Sequence, residues 1–247
     1  MSTVKNGILA AVLVFCTIVM GAVGIILVLT QNNTTTDYQV FVFNARTQGY
    51  IYRGESVKNN ADNPIITVPS LGPSGRPITV IGANAFRNFR NLDTVNLPSS
   101  LVEIHDGAFR NSSITSIIIP NSVNMIGHSA FRDCNLLDSV TLPNSLIEIS
   151  ANTFQGCVAL ESIIIPPNVR TIGARAFSGC TALRTIIIRR TIDVITITNT
   201  TFENCPSIDE IFVPNNTVQG MYMTHAATSP MWAWAMNPVN LFWVGVG

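Results

Sequence analysis

Four cysteines end copies of one short segment, and their type raises the question of redox or metal chemistry. They are Cys134, Cys157, Cys180 and Cys205, spaced 23, 23 and 25 residues apart. A thiolate can act as a nucleophile or a metal ligand, and two thiols can form a disulfide. Each cysteine follows a phenylalanine by three residues, however, and two other copies carry Phe89 and Ser112 at that position. We therefore expect a packing position that holds free structural thiols.

Histidines and acidic pairs offer a second candidate chemistry. His105 and Asp106 lie one copy before His128, which could bring three polar side chains onto one surface. A zinc site requires more ligands in a tighter arrangement, so we expect exposed polar loop residues instead. Asp209 and Glu210 imply no pocket and are expected at a solvated edge. The sequence carries no HExxH, CxxC, G-x-S-x-G or glycine-rich phosphate loop, which predicts a protein that is not an enzyme and binds no metal or cofactor.

A repeat determines where these side chains lie. Its phenylalanines are Phe86, Phe109, Phe131, Phe154, Phe177 and Phe202, spaced 22 to 25 residues apart. A period of this length is typical of a solenoid. Each copy continues into a strand-like run that mostly ends in proline, such as "ITSIIIP" and "LESIIIP". A second apolar pair follows, for example Leu146 and Ile149, and predicts the opposite wall of the coil.

The repeat resembles the BspA-type (treponemal) leucine-rich repeats, whose unit reads I-G-x-x-A-F-x-x-C-x-x-L-x-x-I-x-I-P-x-x-V. The similarity covers residues 79–214. It implies a mainly β leucine-rich-repeat solenoid with about six turns of 22–25 residues, a β-rich N-terminal cap at 38–78 and a C-terminal cap at 215–247. The sequence departs from the pattern at Arg189 and Arg190, where a proline is expected beside a two-residue expansion. We expect this fifth turn to stack least regularly.

An apolar run without charges precedes the repeat and predicts a transmembrane helix over residues 8–30. Its 22 residues from Ile8 to Leu29 would span about 33 Å as a helix, close to the roughly 30 Å of a bilayer core. A cleaved signal peptide is the alternative, although such peptides have a shorter apolar region and small residues at their exit. The run divides the N-terminal part into a short leader, 1–7, the helix and a linker, 31–37.

The charges around this run predict its orientation. Lys5 is the only charged side chain of the leader, and the positive-inside bias places the N-terminus in the cytoplasm. The repeats would then lie on the extracytoplasmic side of a single-pass protein, at a cell surface or in a virion or envelope membrane. Over the whole chain 14 basic residues balance 14 acidic ones, so the composition offers no electrostatic basis for binding nucleic acid.

One position of the repeat strand is expected to face out of the sheet, and its residues are more apolar than a solvated surface favours. From the first copy to the last they are Asn96, Ile118, Thr141, Ile164, Ile187 and Phe212. Contiguous exposed apolar area usually marks a partner-binding surface. The other interpretation is that these residues reflect strand propensity or are covered by flanking side chains.

A second row is basic, because Arg87, Arg110 and Arg132 each follow a repeat phenylalanine. This row could form an anionic docking strip. Asp106 and Asp133 lie close enough in the repeat register to neutralise it, which favours a mixed, solvated edge.

Together these features predict a membrane-anchored protein that displays a rigid surface for protein partners. The family resemblance implies adhesion or another contact at a surface. The alternative is a structural component of a virion or cell envelope in which the same face packs against a neighbouring subunit, so self-association is possible. Membrane contact is expected through residues 8–30.

Overall fold

The computed structural model describes residues 18–20, 23–32, 35–44, 49–55, 65–72, 75–189 and 195–212, and its regular elements there are β-strands. In chain order they are β1 Ile18–Met20, β2 Val23–Asn32, β3 Thr35–Asn44, β4 Gly49–Glu55, β5 Ile65–Thr67, β6 Ile78–Ile81, β7 Thr94–Asn96, β8 Glu103–Ile104, β9 Ser116–Ile118, β10 Met125–Ile126, β11 Ser139–Thr141, β12 Glu148–Ile149, β13 Ser162–Ile165, β14 Thr171–Ile172, β15 Thr185–Ile188 and β16 Glu210–Phe212.

Strands β5 to β16 form two walls of a coil. The long wall contains β5, β7, β9, β11, β13, β15 and β16, and the short wall contains β6, β8, β10, β12 and β14. The paired strands of each wall are parallel and in register, so Ile117 lies beside Val140 and Ile104 lies beside Ile126. The fold is therefore a mainly β parallel solenoid of about five turns, which confirms the mainly β solenoid of the prediction, whereas about six turns are expected from the sequence.

The alternation of side chains along each strand explains how the walls bury a core. In β13, Ile163 and Ile165 are buried while Ile164 faces solvent. A proline ends most long-wall strands because it has no N–H to continue the ladder. The chain then turns, with the Leu101 amide donating to the Pro98 carbonyl at 3.1 Å. Leu101 enters the core opposite the long wall.

The third side of the coil is the turn that contains the repeat phenylalanine. In the first five of these turns two residues take a left-handed backbone, and in the last turn one does, with φ between +55° and +75°. The first set is Asn84, Gly107, Ser129, Asn152 and Arg175, and the second is Asn88, Asn111, Asp133, Gly156, Gly179 and Asn204. Glycine, asparagine and aspartate tolerate this conformation best, which explains most of both sets.

The phenylalanine rings of successive turns stack face to face. Their centroids are 4.9 to 5.4 Å apart from Phe86 to Phe202, with interplanar angles of 3° to 11°. Around them the turn backbones form their own ladder, in which Phe86 N donates to Ala108 O at 2.6 Å and Asn88 N donates to Arg110 O at 2.9 Å. We call this arrangement of stacked rings and backbone bonds the phenylalanine ladder.

Both walls are interrupted at one junction, which the phenylalanine ladder crosses without a break. Regular pairing is lost between β10 and β12 on the short wall and between β11 and β13 on the long wall. At this junction the rings of Phe131 and Phe154 stack at 5.3 Å, and Phe131 N donates to Thr153 O at 2.9 Å. The phenylalanine ladder therefore keeps the two halves of the solenoid in register.

The first turn is covered by β4. This strand pairs in parallel with β6, and the Tyr52 ring stacks on Phe86 at a centroid distance of 5.5 Å. β5 pairs with β7 in the long wall, so the segment predicted as a cap, 38–78, already contains the first long-wall strand. The predicted leader, 1–7, and C-terminal cap, 215–247, lie outside the described residues.

The predicted transmembrane helix over 8–30 is not confirmed, because the described part of that segment forms strands. β1 and β2 lie within it, and β2 pairs antiparallel with β3 over its last eight residues. An uninterrupted apolar run does not distinguish helix from strand by periodicity, and its many valines and isoleucines suit a strand that finds a partner. None of the described residues belongs to a helix long and apolar enough to cross a bilayer.

The described residues of the predicted linker, 31–37, lie in strands. Gln31 and Asn32 end β2, and Thr35 begins β3. Asn32 lies opposite Thr35 in the antiparallel pair of β2 and β3.

The expanded fifth turn rejoins the solenoid after residues 190–194, which lie outside the described part. Thr196 forms a parallel bridge with Thr171, and Phe177 N donates to Thr201 O at 2.9 Å. The two-residue expansion does not change the stacking of Phe177 on Phe202.

The left-handed backbone at Arg175 leads to a stability prediction. Its φ of +55° is unfavourable for a residue with a Cβ atom. Arg175→Gly should raise the free energy of unfolding by about 1 kcal/mol, after the greater entropy of glycine in the unfolded chain is subtracted. Chemical denaturation of the purified chain measures this change.

Arg175→Ala is the matched control, because it keeps the Cβ atom and removes the exposed pair between Arg175 Nε and Glu203 Oε2 at 3.5 Å. We expect no stabilisation from it. An equal gain in both variants would show that the arginine side chain, and not its backbone, is unfavourable.

Candidate protein-binding face

The cysteine column is part of the packed turn and forms no disulfide. Cys134, Cys157, Cys180 and Cys205 are free and buried. Each thiol donates a hydrogen bond to the carbonyl of the phenylalanine one turn earlier, as in Cys134 Sγ to Phe109 O at 3.0 Å and Cys157 Sγ to Phe131 O at 3.2 Å. The column therefore ties neighbouring turns together, which the sequence pattern alone did not predict.

The protonation of these thiols agrees with a structural role. Burial raises the pKa of Cys134 to about 11 and raises the pKa of Cys157 well above its usual value. The hydrogen bond with the Cys205 thiol is the main cause that raises the pKa of Cys180, and burial raises it further. The same hydrogen bond lowers the pKa of Cys205. Because the thiolate is the reactive form, Cys134, Cys157 and Cys180 are poor nucleophiles at neutral pH.

His105, His128 and their acidic neighbours do not converge on one site. His105 Nε2 lies 2.9 Å from Glu103 Oε2, whereas Asp106 Oδ1 accepts a hydrogen bond from the backbone amide of His128 at 2.8 Å. No group of three potential metal ligands occurs among the described residues. The side chain of Asp209 pairs instead with Arg184, at 3.3 Å.

The basic row is partly neutralised. Asp133 Oδ2 lies 3.4 Å from Arg132 Nε and 3.9 Å from Arg110 Nε, while Arg87 is exposed. The other predicted partner, Asp106, bonds to the backbone instead. These contacts favour the mixed, solvated edge over an anionic docking strip.

The structure places the predicted apolar row on the outer face of the long wall. Ile118 is 74% exposed and Ile164 is 39% exposed, Thr141 is exposed, and Ile187 is half-buried. Asn96 begins the row with a hydrogen bond from its Nδ2 to Thr67 Oγ1 at 3.1 Å. Phe212 lies beside Ile187 by backbone register, and its side chain lies outside the described part. Strand register aligns Ile118 with Thr141 and Ile164 with Ile187, and the junction separates these two pairs. We call the residues at this repeat position the apolar row.

Two more rows precede the apolar row along the chain. The nearer one carries hydroxyl residues on five turns, Thr94, Ser116, Ser139, Ser162 and Thr185, with Ile65 and Glu210 at the same position on the first and last long-wall strands. The farther one, which we call the edge row, consists of Asp93, Thr115, Asp138, Glu161, Arg184 and Asp209. The composition of the edge row could be read from the repeat alignment, since each residue stands three positions before a member of the apolar row.

Exposed apolar residues also occur away from this face. Ile147, just before β12 on the short wall, is 57% exposed, and Leu136 follows a repeat turn. They occupy different positions of the repeat and do not form a row. The long-wall face is therefore the best candidate binding surface of the described chain.

Comparisons with known proteins agree with this architecture. The family described as BspA type leucine rich repeat region matches six copies over residues 73–157 and 147–223, which together make up more than half of the chain. No curated protein matches the chain.

Solved structures resemble the chain at low sequence identity. A leucine-rich repeat protein from Eubacterium ventriosum has a TM-score of 0.52 and 18% identity, covering 77% of this chain and 53% of that protein. The chain thus spans about half the length of that protein, and the likeness concerns the fold alone. The pneumococcal vaccine antigen PcpA has a TM-score of 0.49 and 14% identity, covering 83% of this chain and 71% of that one. The leucine rich repeat protein of T. pallidum has a TM-score of 0.43 and 23% identity, covering 69% and 77%.

The repeat match, the stacked phenylalanines and the two parallel walls lead to one conclusion. The chain belongs to the family of BspA-type leucine-rich-repeat proteins.

Proposed function

We propose that this protein displays the outer face of its long wall as a binding surface for another protein. Leucine-rich-repeat folds are typically non-enzymatic interaction scaffolds. The observation that carries the proposal is the apolar row, in which Ile118 and Ile164 are exposed to solvent on the two halves of the long wall. Exposure of an isoleucine side chain to water is unfavourable. Burial of each side chain against a partner contributes roughly 1.5 to 3 kcal/mol to binding, before the cost of association.

The rigidity of the face supports the same role. Its strands are held by backbone pairing within each half and by the phenylalanine ladder across the junction, and the side chains beneath them, such as Ile163 and Ile186, are buried. Little conformational entropy is then lost when a partner binds. Adhesion at a surface is the biological setting that we propose for this binding, with assembly into an envelope or virion as the alternative.

The double substitution Ile164→Thr and Ile187→Thr tests the proposal. Because both side chains lie on the solvent face, we expect thermal unfolding to change little while capture of a partner from native membranes, or self-association, falls strongly. Analytical ultracentrifugation separates self-association from binding of a different protein.

Ile147→Thr is the control, since it makes the same change at an exposed site on the short wall. It should leave binding intact. Full binding by the double variant would place the site elsewhere, and unfolding of the double variant would show that the apolar row is part of the core.

We also propose that the apolar N-terminal run attaches the protein to a membrane, with the repeats on the extracytoplasmic side. The support is the absence of charge between Lys5 and Asp37. A spanning helix satisfies its backbone bonds within itself, whereas β2 bonds to β3. Attachment by a spanning helix would therefore require β2 to leave β3.

Flotation of the full-length chain with lipid vesicles tests this attachment. We expect the chain to float and to resist extraction by carbonate, and a chain lacking residues 1–30 to remain at the bottom of the gradient. Equal behaviour of both chains would contradict membrane attachment through this run.

A further inference from the structure

The edge row gives the candidate face a distinct electrostatic character. Backbone bonds align the row within each half of the wall, with Asp138 N donating to Thr115 O at 2.9 Å before the junction and Arg184 N donating to Glu161 O at 2.8 Å after it. The row contains four carboxylates and one guanidinium, and Arg184 already pairs with Asp209 at 3.3 Å.

Two of the carboxylates are available for an external partner. Asp93 accepts a hydrogen bond from Thr115 Oγ1 at 2.7 Å, and Asp209 has its arginine. Asp138 and Glu161 are exposed, and neither forms an ion pair within the described residues. They stand on neighbouring turns in the middle of the wall.

The acidic character belongs to this face and not to the chain as a whole. The chain has a formal net charge of zero. Its basic row, with Arg110 and Arg132, follows the repeat phenylalanines at a different position of the turn. Between the edge row and the apolar row, the central turns carry small uncharged hydroxyl residues such as Ser139 and Ser162.

We propose that the partner of the long-wall face is a polypeptide segment that carries lysine or arginine beside its apolar residues. This inference rests on the proposed function and adds the chemistry of the partner. Apolar side chains of the segment would cover Ile118, Ile164 and Ile187, and its cations would meet Asp138 and Glu161. Three residues along a strand separate the two rows by about 10 Å, which a lysine on a neighbouring position of a bound segment can span.

Charge complementarity also decides against other partners. Nucleic acid and anionic lipid surfaces carry negative charge, so the carboxylates would repel them from this face. A purely apolar ligand would cover the apolar row but make no use of the edge row. A basic, amphipathic segment fits both rows.

Two synthetic amphipathic peptides of about 14 residues, one of leucine and lysine and one of leucine and glutamate, provide the test. Fluorescence anisotropy with the full-length chain should show binding of the lysine peptide and little binding of the glutamate peptide. The double variant Asp138→Asn and Glu161→Gln should bind the lysine peptide with about 3- to 10-fold lower affinity at low salt, and added salt should reduce this difference in affinity.

Glu148→Gln is the matched control, because it removes an exposed carboxylate from the short wall. It should leave binding of the lysine peptide unchanged. An equal loss in this control, or equal binding of both peptides, would overturn the basic-partner inference.

The variants also separate this inference from the proposed function. If Ile164→Thr and Ile187→Thr abolish partner capture while the carboxylate variant does not change peptide binding, the face binds a partner and the basic-partner inference is wrong. If the isoleucine variant affects neither capture nor peptide binding, both proposals fail.

Discussion

The stacked phenylalanines are the interaction on which the rest of the solenoid depends. Parallel strands of two to four residues are too short to hold a sheet by themselves, and both walls lose regular pairing between the turns of Phe131 and Phe154. The rings remain 5.3 Å apart there, and three turn amides continue to bond across the junction. The thiols add a bond from Cys157 Sγ to Phe131 O at the same place. The phenylalanine ladder thus aligns both walls and, with them, the rows on the outer face.

Much of this fold could be predicted from the sequence because the repeat carries it. The repeat period predicted that the phenylalanines occupy equivalent positions in successive turns. Strand alternation predicted that Ile164 faces out of the sheet, and the structure buries its neighbour Ile163. The left-handed backbone at Arg175 and the bonds from thiols to carbonyls could not be predicted, because they depend on turn geometry that residue types do not specify. The N-terminal run could not be assigned from the sequence for a different reason. Its composition suits both a membrane helix and a strand, and only the pairing of β2 with β3 decides between them in this structure.

The repeat predicted which residues share a row of the candidate face, but not which neighbouring side chains cover or contact them. A fixed register places Ile118 beside Thr141 wherever the repeat is regular. Whether neighbouring side chains cover such a row depends on their conformations, which leave Ile118 open and Ile187 half-buried. The hydrogen bond from the His128 amide to Asp106 likewise could not be predicted from the sequence, because the repeat spacing indicated that Asp106 would pair with the basic row. The result is a face with apolar residues along its centre and carboxylates along one edge.

The central claim, that the phenylalanine ladder holds the two halves in register, is tested most directly by amide hydrogen exchange in Phe154→Ala. We expect this variant to lose about 3 to 5 kcal/mol of stability and to expose the amides of Ser129, Phe131 and Asp133, which donate across the junction at 3.1, 2.9 and 2.8 Å. Leu160→Ala, in the same core, should cost about 2 to 5 kcal/mol without this localised exchange. Unchanged protection of the three amides relative to the rest of the Phe154→Ala chain would contradict the claim.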